Sequence, residues 1–291
     1  MTLHGPVLIG TDLSAESDEA LRQGAKLAAE LSSPLFVCHV VPELLPDGSI
    51  FNEFRRANLA VGDSVLGKAR EAVDQQVNTV LGAGAVAAEV ILDSGTPHVG
   101  LLRQAEKTGA RVLVTIPGPG ALDVVRHATV PVLIARPSPQ GPLVAATDFS
   151  DVLLPAIHAA AAEAKRRGAP LHLLHAFDAG LFAVGHASAQ AMPYLLGSSP
   201  FALEGMDTLE VVAKKRLDET LAEIDTRGTT AVVVGSPTHV IVKYAESIGA
   251  GLIVVGTRGR SGLARLTLGS TAAGVIESAP CSVLVVRLGA D

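Results

Sequence analysis

Short apolar runs alternate along this chain with longer stretches in which apolar residues recur at helical spacing. In the C-terminal half the runs are Leu143–Ala146, Leu171–Ala176, Ala231–Val234, Leu252–Val255 and Val283–Val286, each 4–6 residues long and rich in Val and Leu. Strands that are apolar on both faces belong to parallel sheets covered by helices on either side. The stretches Leu153–Arg167, Asp207–Thr226, His239–Ser247 and Thr271–Ser278 supply those helices. Ser14 and Ser150 follow first strands as N-caps, and Pro97 and Pro237 stand where a first helical turn accepts proline. Five parallel strands joined by four helices predict an α/β fold, a doubly wound, Rossmann-like sheet with right-handed crossovers.

The pattern occurs twice. Pro6-Val-Leu-Ile-Gly-Thr-Asp-Leu-Ser14 matches Pro142-Leu-Val-Ala-Ala-Thr-Asp-Phe-Ser150 at an offset of 136 residues. Gly95-Thr-Pro97 matches Gly235-Ser-Pro237, and Gly109-Ala-Arg-Val-Leu-Val114 matches Gly249-Ala-Gly-Leu-Ile-Val254, both at 140. Val132-Leu-Ile-Ala-Arg136 matches Val283-Leu-Val-Val-Arg287 at 151. A period that long means a duplicated domain rather than a solenoid. The expected tandem domains are residues 1–138 and 142–291, with Pro137–Pro142 as a short, stiff linker.

Composition narrows the function. With 48% apolar and 18% charged residues, 291 residues bury two sizeable cores, which excludes disordered and coiled-coil classes. The chain has 7 Phe, 2 Tyr and no Trp, and its net charge is −6, which argues against a nucleic-acid surface. Two cysteines, Cys38 and Cys281, rule out a disulfide framework and suit a reducing compartment. The start of the chain lacks a basic leader, and the longest uncharged stretch, Ala179–Leu203, is too broken to span a bilayer. A soluble, cytoplasmic protein is expected.

In an open parallel sheet, ligands bind beyond the carboxyl ends of the strands at the switch point. In the second copy three segments converge there: Thr147-Asp148-Phe149-Ser150, the strand end His175-Ala176-Phe177, and the loop from Gly256 to Thr271. That loop carries Gly256, Gly259, Gly262 and Gly269, so backbone N–H groups can approach an anion without Cβ interference. Ser270 and Thr271 then open the last helix, whose positive end attracts phosphate. Arg258, Arg260 and Arg265 add three cations, and Asp and Glu are absent from Ser247 through Ile276. A polyphosphate is the natural guest. The alternative is a flexible Gly/Arg loop that binds nothing.

The spacing Gly256-x2-Gly259-x9-Gly269-Ser270 resembles the nucleotide-binding signature of the universal stress protein family. Leu252-Ile-Val-Val-Gly-Thr-Arg-Gly-Arg-Ser-Gly262, Ala279-Pro-Cys-Ser-Val-Leu-Val-Val-Arg287 and the two Thr-Asp-x-Ser openings are similar to that family too, over nearly the whole chain. The resemblance implies ATP binding, with or without Mg, and a stress-survival or regulatory role with at most slow hydrolysis. It places Asp148 on the ribose or adenine side and backbone of Ala146 and Ala176 against adenine. Val255, Gly256, Arg258 and Gly259 would line the ribose and phosphate approach, and Gly269, Ser270 and Thr271 would cradle the phosphates. It also suggests that the last strands, Val132–Ala135 and Val283–Val286, are sheet edges that meet across a dimer interface, giving a pseudo-dimer within the chain and a homodimer of chains. A slow ATP hydrolase or an interaction scaffold without nucleotide are the rival readings.

The first copy departs from this pattern. After Val114-Thr115-Ile116 comes Pro117-Gly118-Pro119-Gly120 and then a helix from Ala121, and the jump in offset from 140 to 151 means that 11 residues are missing across the phosphate loop. Two prolines remove donors. One ATP-competent domain and one degenerate domain are expected. His172 and His175, three apart in a strand, point to opposite faces and cannot share a metal. Neither a Gly-x4-Gly-Lys-Ser/Thr loop nor a Gly-x-Ser-x-Gly elbow occurs, so fast phosphoryl transfer and serine hydrolysis are not indicated. Phe177–Met206 reads as a 30-residue loop, either a lid or a packing element.

Overall fold

The computed structural model describes residues 5–42, 52–82, 87–150, 154–177, 200–224, 226–257 and 268–287, with backbone alone for 52–63 and 200–209. The chain divides into two units, one ending at Pro137 and the other beginning at Ser138. The first unit runs β1 (Val7–Thr11), α1 (Ala15–Glu30), β2 (Leu35–Val41), α2 (Asn52–Leu81), β3 (Ala88–Ser94), α3 (Pro97–Thr108), β4 (Val112–Thr115), α4 (Pro119–His127) and β5 (Val132–Ile134). The second runs β6 (Leu143–Ala146), α5 (Leu154–Arg167), β7 (Leu171–Phe177), α6 (Pro200–Glu223), β8 (Gly228–Val234), α7 (Pro237–Ser247), β9 (Leu252–Gly256), α8 (Ser270–Ser278) and β10 (Ser282–Val286).

Within the first unit the strand order is β3-β2-β1-β4-β5, and within the second it is β8-β7-β6-β9-β10. The pairings in each unit are parallel. Each unit is therefore the doubly wound α/β sheet that the alternating pattern predicts. Successive strands are added to one side of the first strand and then to the other, so the switch points lie between β1 and β4 and between β6 and β9. Val7, Leu8 and Ile9 on β1 and Leu252, Ile253 and Val254 on β9 are fully buried, as strands covered by helices on both faces must be.

Two elements differ from their expected limits. β8 begins at Gly228, ahead of the apolar run at Ala231, because it is the last strand of its unit's order and its Thr229 is exposed. An edge strand has no need to be apolar on both faces, and threonine suits a half-exposed pleat. α6 begins at Pro200, so the C-terminal part of the stretch read as a loop through Met206 is helical. Proline is pre-organised for a first helical turn, and the Pro/Gly/Ser-rich composition concealed that start. The remainder of the expected loop, 178–199, lies outside the described residues. α4 likewise starts at Pro119 rather than Ala121.

The segment expected to act as a linker is seated on the second unit from Ser138 onward. The Ser282 N–H donates to Ser138 Oγ at 2.8 Å, and the Gly251 N–H donates to the Pro142 carbonyl at 2.9 Å.

In the first unit, α3 is fastened to β3 through Asp93. Its carboxylate accepts from Arg103 Nε at 3.0 Å, Gln104 Nε2 at 2.6 Å and the Ser94 N–H at 2.8 Å. Burial pushes this carboxyl up, but the Arg103, Gln104 and Ser94 donors outweigh it and hold the pKa down to about 2. A carboxylate depressed in the folded state stabilises the fold above its ordinary pKa, and that contribution is lost as pH falls from about 4 to about 2. Because Arg103 is half exposed, solvent screening limits the effect to about 1 kcal/mol. Urea unfolding at pH 7 and pH 3 should show wild type losing about half of this increment while Asp93→Asn, lower at pH 7, does not.

Candidate functional site

The turn that follows the first strand is built identically in the two units. In the second, Thr147 Oγ1 accepts from the Phe149 N–H at 3.0 Å, and Asp148 Oδ1 accepts from the Ser150 N–H at 2.9 Å and the Ser150 hydroxyl at 2.5 Å. In the first, Thr11 Oγ1 accepts from the Leu13 N–H at 3.0 Å, and Asp12 Oδ1 accepts from the Ser14 N–H at 2.9 Å and the Ser14 hydroxyl at 2.5 Å. The residue between them is left-handed in both, with φ 63° at Phe149 and 68° at Leu13. Non-glycine residues hold that conformation only where surrounding bonds over-determine it, and the Thr and Asp side chains supply those bonds. A histidine on the second strand braces each turn: His175 Nδ1 donates to the Thr147 carbonyl and His39 Nδ1 to the Thr11 carbonyl, both at 2.8 Å. A carbonyl can only accept, so both imidazoles carry their proton on Nδ1.

β6 and β9 pair with Ala145 beside Val254, which brings the ends of the two strands, Ala146 and Val255, level across the switch point. Ala146 pairs with Leu174 on its other side, so Ala176 lies two residues further along β7, beside the Asp148 turn. After Gly256, the Thr257 carbonyl accepts from the Gly269 N–H at 2.9 Å, and the Thr257 N–H donates to the Val286 carbonyl at 3.1 Å. The loop is thus clasped at its base. Arg258 and Gly259, with Arg260, Gly262 and Arg265, lie outside the described residues.

Gly269 is the N-cap of α8, with φ −63°, no side-chain cap, and no acidic residue in the first turn. The first helical bond inside α8 runs from the Ala273 N–H to the Gly269 carbonyl at 3.0 Å. The N–H groups of Ser270, Thr271 and Ala272 therefore have no acceptor within the helix, and the helix dipole adds to their positive end. In the first unit the matching helix opens on Gly118 at φ 149° with Pro119 at its first position. Pro119 has no N–H, so one donor is gone, and the missing 11 residues remove the arginine-bearing stretch.

A second difference between the units was not legible from motifs. Gln76 on α2 ties the β1 turn to α1: its Oε1 accepts from the Thr11 hydroxyl at 2.8 Å, and its Nε2 donates to the Ser14 carbonyl at 3.1 Å and to Asp18 Oδ1 at 2.8 Å. The Ser17 hydroxyl also donates to Asp12 Oδ1 at 2.6 Å. Burial raises the Asp12 carboxyl, yet the hydrogen bonds from Ser14 and Ser17 outweigh it and hold its pKa below the usual value. At the offset of 140 that relates β3 to β8, Arg216 on α6 replaces Gln76, and at 136 Leu153 replaces Ser17. Arg216 lies with Cζ 5.1 Å from the Phe149 ring centroid and donates from Nη2 to the Phe149 carbonyl at 3.3 Å.

The sequence profile of the universal stress protein family matches residues 4–116 and 141–287. The chain belongs to the universal stress protein family. Universal stress protein MJ0531 of Methanocaldococcus jannaschii is 37% identical over 145 residues, 50% of this chain and 81% of that protein. Universal stress protein Rv2005c of Mycobacterium tuberculosis is 28% identical over 318 residues, covering 98% of this chain and 97% of that protein. A crystal structure of a universal stress protein from Archaeoglobus fulgidus superposes with a TM-score of 0.64 at 20% identity, over 98% of this chain and 97% of the other, which shows the shared fold.

In this tandem universal stress protein the two β7 histidines serve different neighbours. His172 Nδ1 lies 2.9 Å from the Tyr244 hydroxyl and 3.0 Å from Thr229 Oγ1, whereas His175 braces the Thr147 turn. Burial lowers the His172 pKa below its usual value. Among the described residues no group of His, Cys, Asp and Glu is placed to hold a metal ion. Cys38 and Cys281 are buried, and burial pushes the Cys38 thiol up to about 12, so it is no nucleophile. No helix among the described residues is long and apolar enough to cross a membrane.

Proposed function

We propose that the second domain, residues 142–291, binds ATP, with or without Mg, and that occupancy biases the protein's conformation or partner contacts in a stress response. The observation that carries this reading is the start of α8: an uncapped helix end, free of acidic residues, at the foot of a clasped Gly/Arg loop beside the switch point. Backbone N–H groups of Ser270 and Thr271 take the phosphates, and Gly269 lets them come close. Gly256, Val255, Arg258 and Gly259 line the approach, Asp148 accepts ribose hydroxyls, and backbone of Ala146 and Ala176 faces adenine. The loop has neither a phosphate-gripping lysine nor an acid to activate water, so hydrolysis is slow at most.

The first domain, residues 1–138, is a degenerate partner in this reading. Pro119 at the first position of α4 and the Gln76 bridge across the Asp12 turn both support it. The chain works as a cytoplasmic homodimer. Isothermal titration of the full chain with ATP should give one site per chain. Two equivalent sites, or no heat at millimolar ATP, would contradict the proposal.

A further inference from the structure

Planar groups gather at the carboxyl ends of β6 and β7 in a chain that has 7 Phe, 2 Tyr and no Trp. The Phe149 and His175 rings lie 4.4 Å apart between centroids, tilted by 39°. His175 and Phe177 stack at 6.1 Å with 20° between planes. The Arg216 guanidinium covers the Phe149 ring at 5.1 Å and is tied to the Phe149 carbonyl. Phe149 is aimed by its left-handed backbone, which the Thr147 hydroxyl fixes, and it stays partly exposed.

The first unit is an internal control. Its turn keeps the same Thr and Asp hydrogen bonds and nearly the same φ, with Gln76 and Ser17 adding bonds of their own, yet the counterparts of Phe149, Phe177 and Arg216 are Leu13, Val41 and Gln76. The turn itself therefore does not require an aromatic or a cation. The planar cluster occurs in the one unit that also retains the phosphate loop.

We propose that Phe149, buttressed by His175 and Arg216, is the stacking platform for the base of the bound nucleotide, so that the second domain selects nucleosides over bare polyphosphate. This rests on the nucleotide reading above. Bases stack on aromatic rings and on guanidinium planes through their π faces, largely without regard to sequence. Phe149 offers the ring, His175 fixes its tilt, and Arg216 keeps it from turning away.

Titration calorimetry of the full chain with ATP, adenosine and inorganic tripolyphosphate tests the platform against the phosphate site. Phe149→Leu installs the residue that the first unit holds at the same φ, so the turn survives. It should weaken ATP and adenosine about tenfold and leave tripolyphosphate unchanged. Arg216→Gln should act in the same direction by a smaller factor. Equal losses for ATP and tripolyphosphate, or no loss for either variant, would overturn the platform while the phosphate site stands. If wild type binds adenosine but not tripolyphosphate, and Phe149→Leu abolishes that binding, the platform stands and the phosphate reading falls. If wild type binds none of the three, both fall.

Discussion

Gly269→Val will leave the second unit folded and weaken ATP by about a hundredfold, ~2.7 kcal/mol in affinity. A chain uses glycine where the backbone is left-handed or where something must come close. The first reason does not apply, because φ at Gly269 is −63° and ψ is 146°, values open to any residue. Nor do the described residues press on the site: among them a Cβ there meets only the Thr257 carbonyl oxygen, at an ordinary 3.5 Å. The remaining candidate for close approach is the phosphate chain, and a valine side chain would stand in its path. Calorimetry gives the affinity and a thermal melt gives the fold. An unaltered dissociation constant in a well-folded variant would remove the phosphates from the start of α8.

Gly141→Ala makes the opposite case. A Cβ at Gly141 would lie 1.9 Å from the Gly249 carbonyl oxygen, 3.1 Å from its carbon and 3.3 Å from the Gly251 nitrogen. These are backbone atoms, which cannot swing aside as a side chain can. The segment Ser138–Pro142 must lift or the α7–β9 connection must shift, and the second unit loses about 3 kcal/mol. Urea unfolding should show this as a lower midpoint. A midpoint equal to wild type would mean that the segment is not seated against Gly249 and Gly251. Added bulk, then, is expected to cost the fold at one glycine and only the ligand at the other.

Much of the architecture was legible in the sequence because buried parallel strands leave an unmistakable apolar signal, and because the chain states its pattern twice. Leu143–Ala146 and Leu252–Gly256 follow from that signal almost to the residue. The edge strand β8 was read short because Gly228-Thr-Thr230 faces solvent in part and so is not selected for apolarity. The start of α6 was hidden for a different reason. Proline and glycine mark loops statistically, yet proline at a first helical turn also begins a helix. Pro137–Pro142 reads as a spacer because composition alone does not reveal what a backbone lies against.

At the candidate site, the positions of the strand-end turns and the start of the last helix at Ser270 followed from residue types and spacing. The roles of Gln76 and Arg216 did not. Both project from a long helix remote in sequence from the turn they reach, 62 residues from Ser14 for one and 67 from Phe149 for the other. No local motif encodes such a contact. The clue was the offset of 140 itself, which sets an amide against a cation at one position in two otherwise matching copies.

The hydrogen bond from Gly269 to Thr257 pinches its loop off at the neck. With its two ends joined in that way, the intervening stretch of sequence can be trimmed or rewritten by evolution without disturbing the strands below. Gene duplication then lets the two halves drift apart at that place. The 11-residue gap in the first unit is what such drift leaves behind.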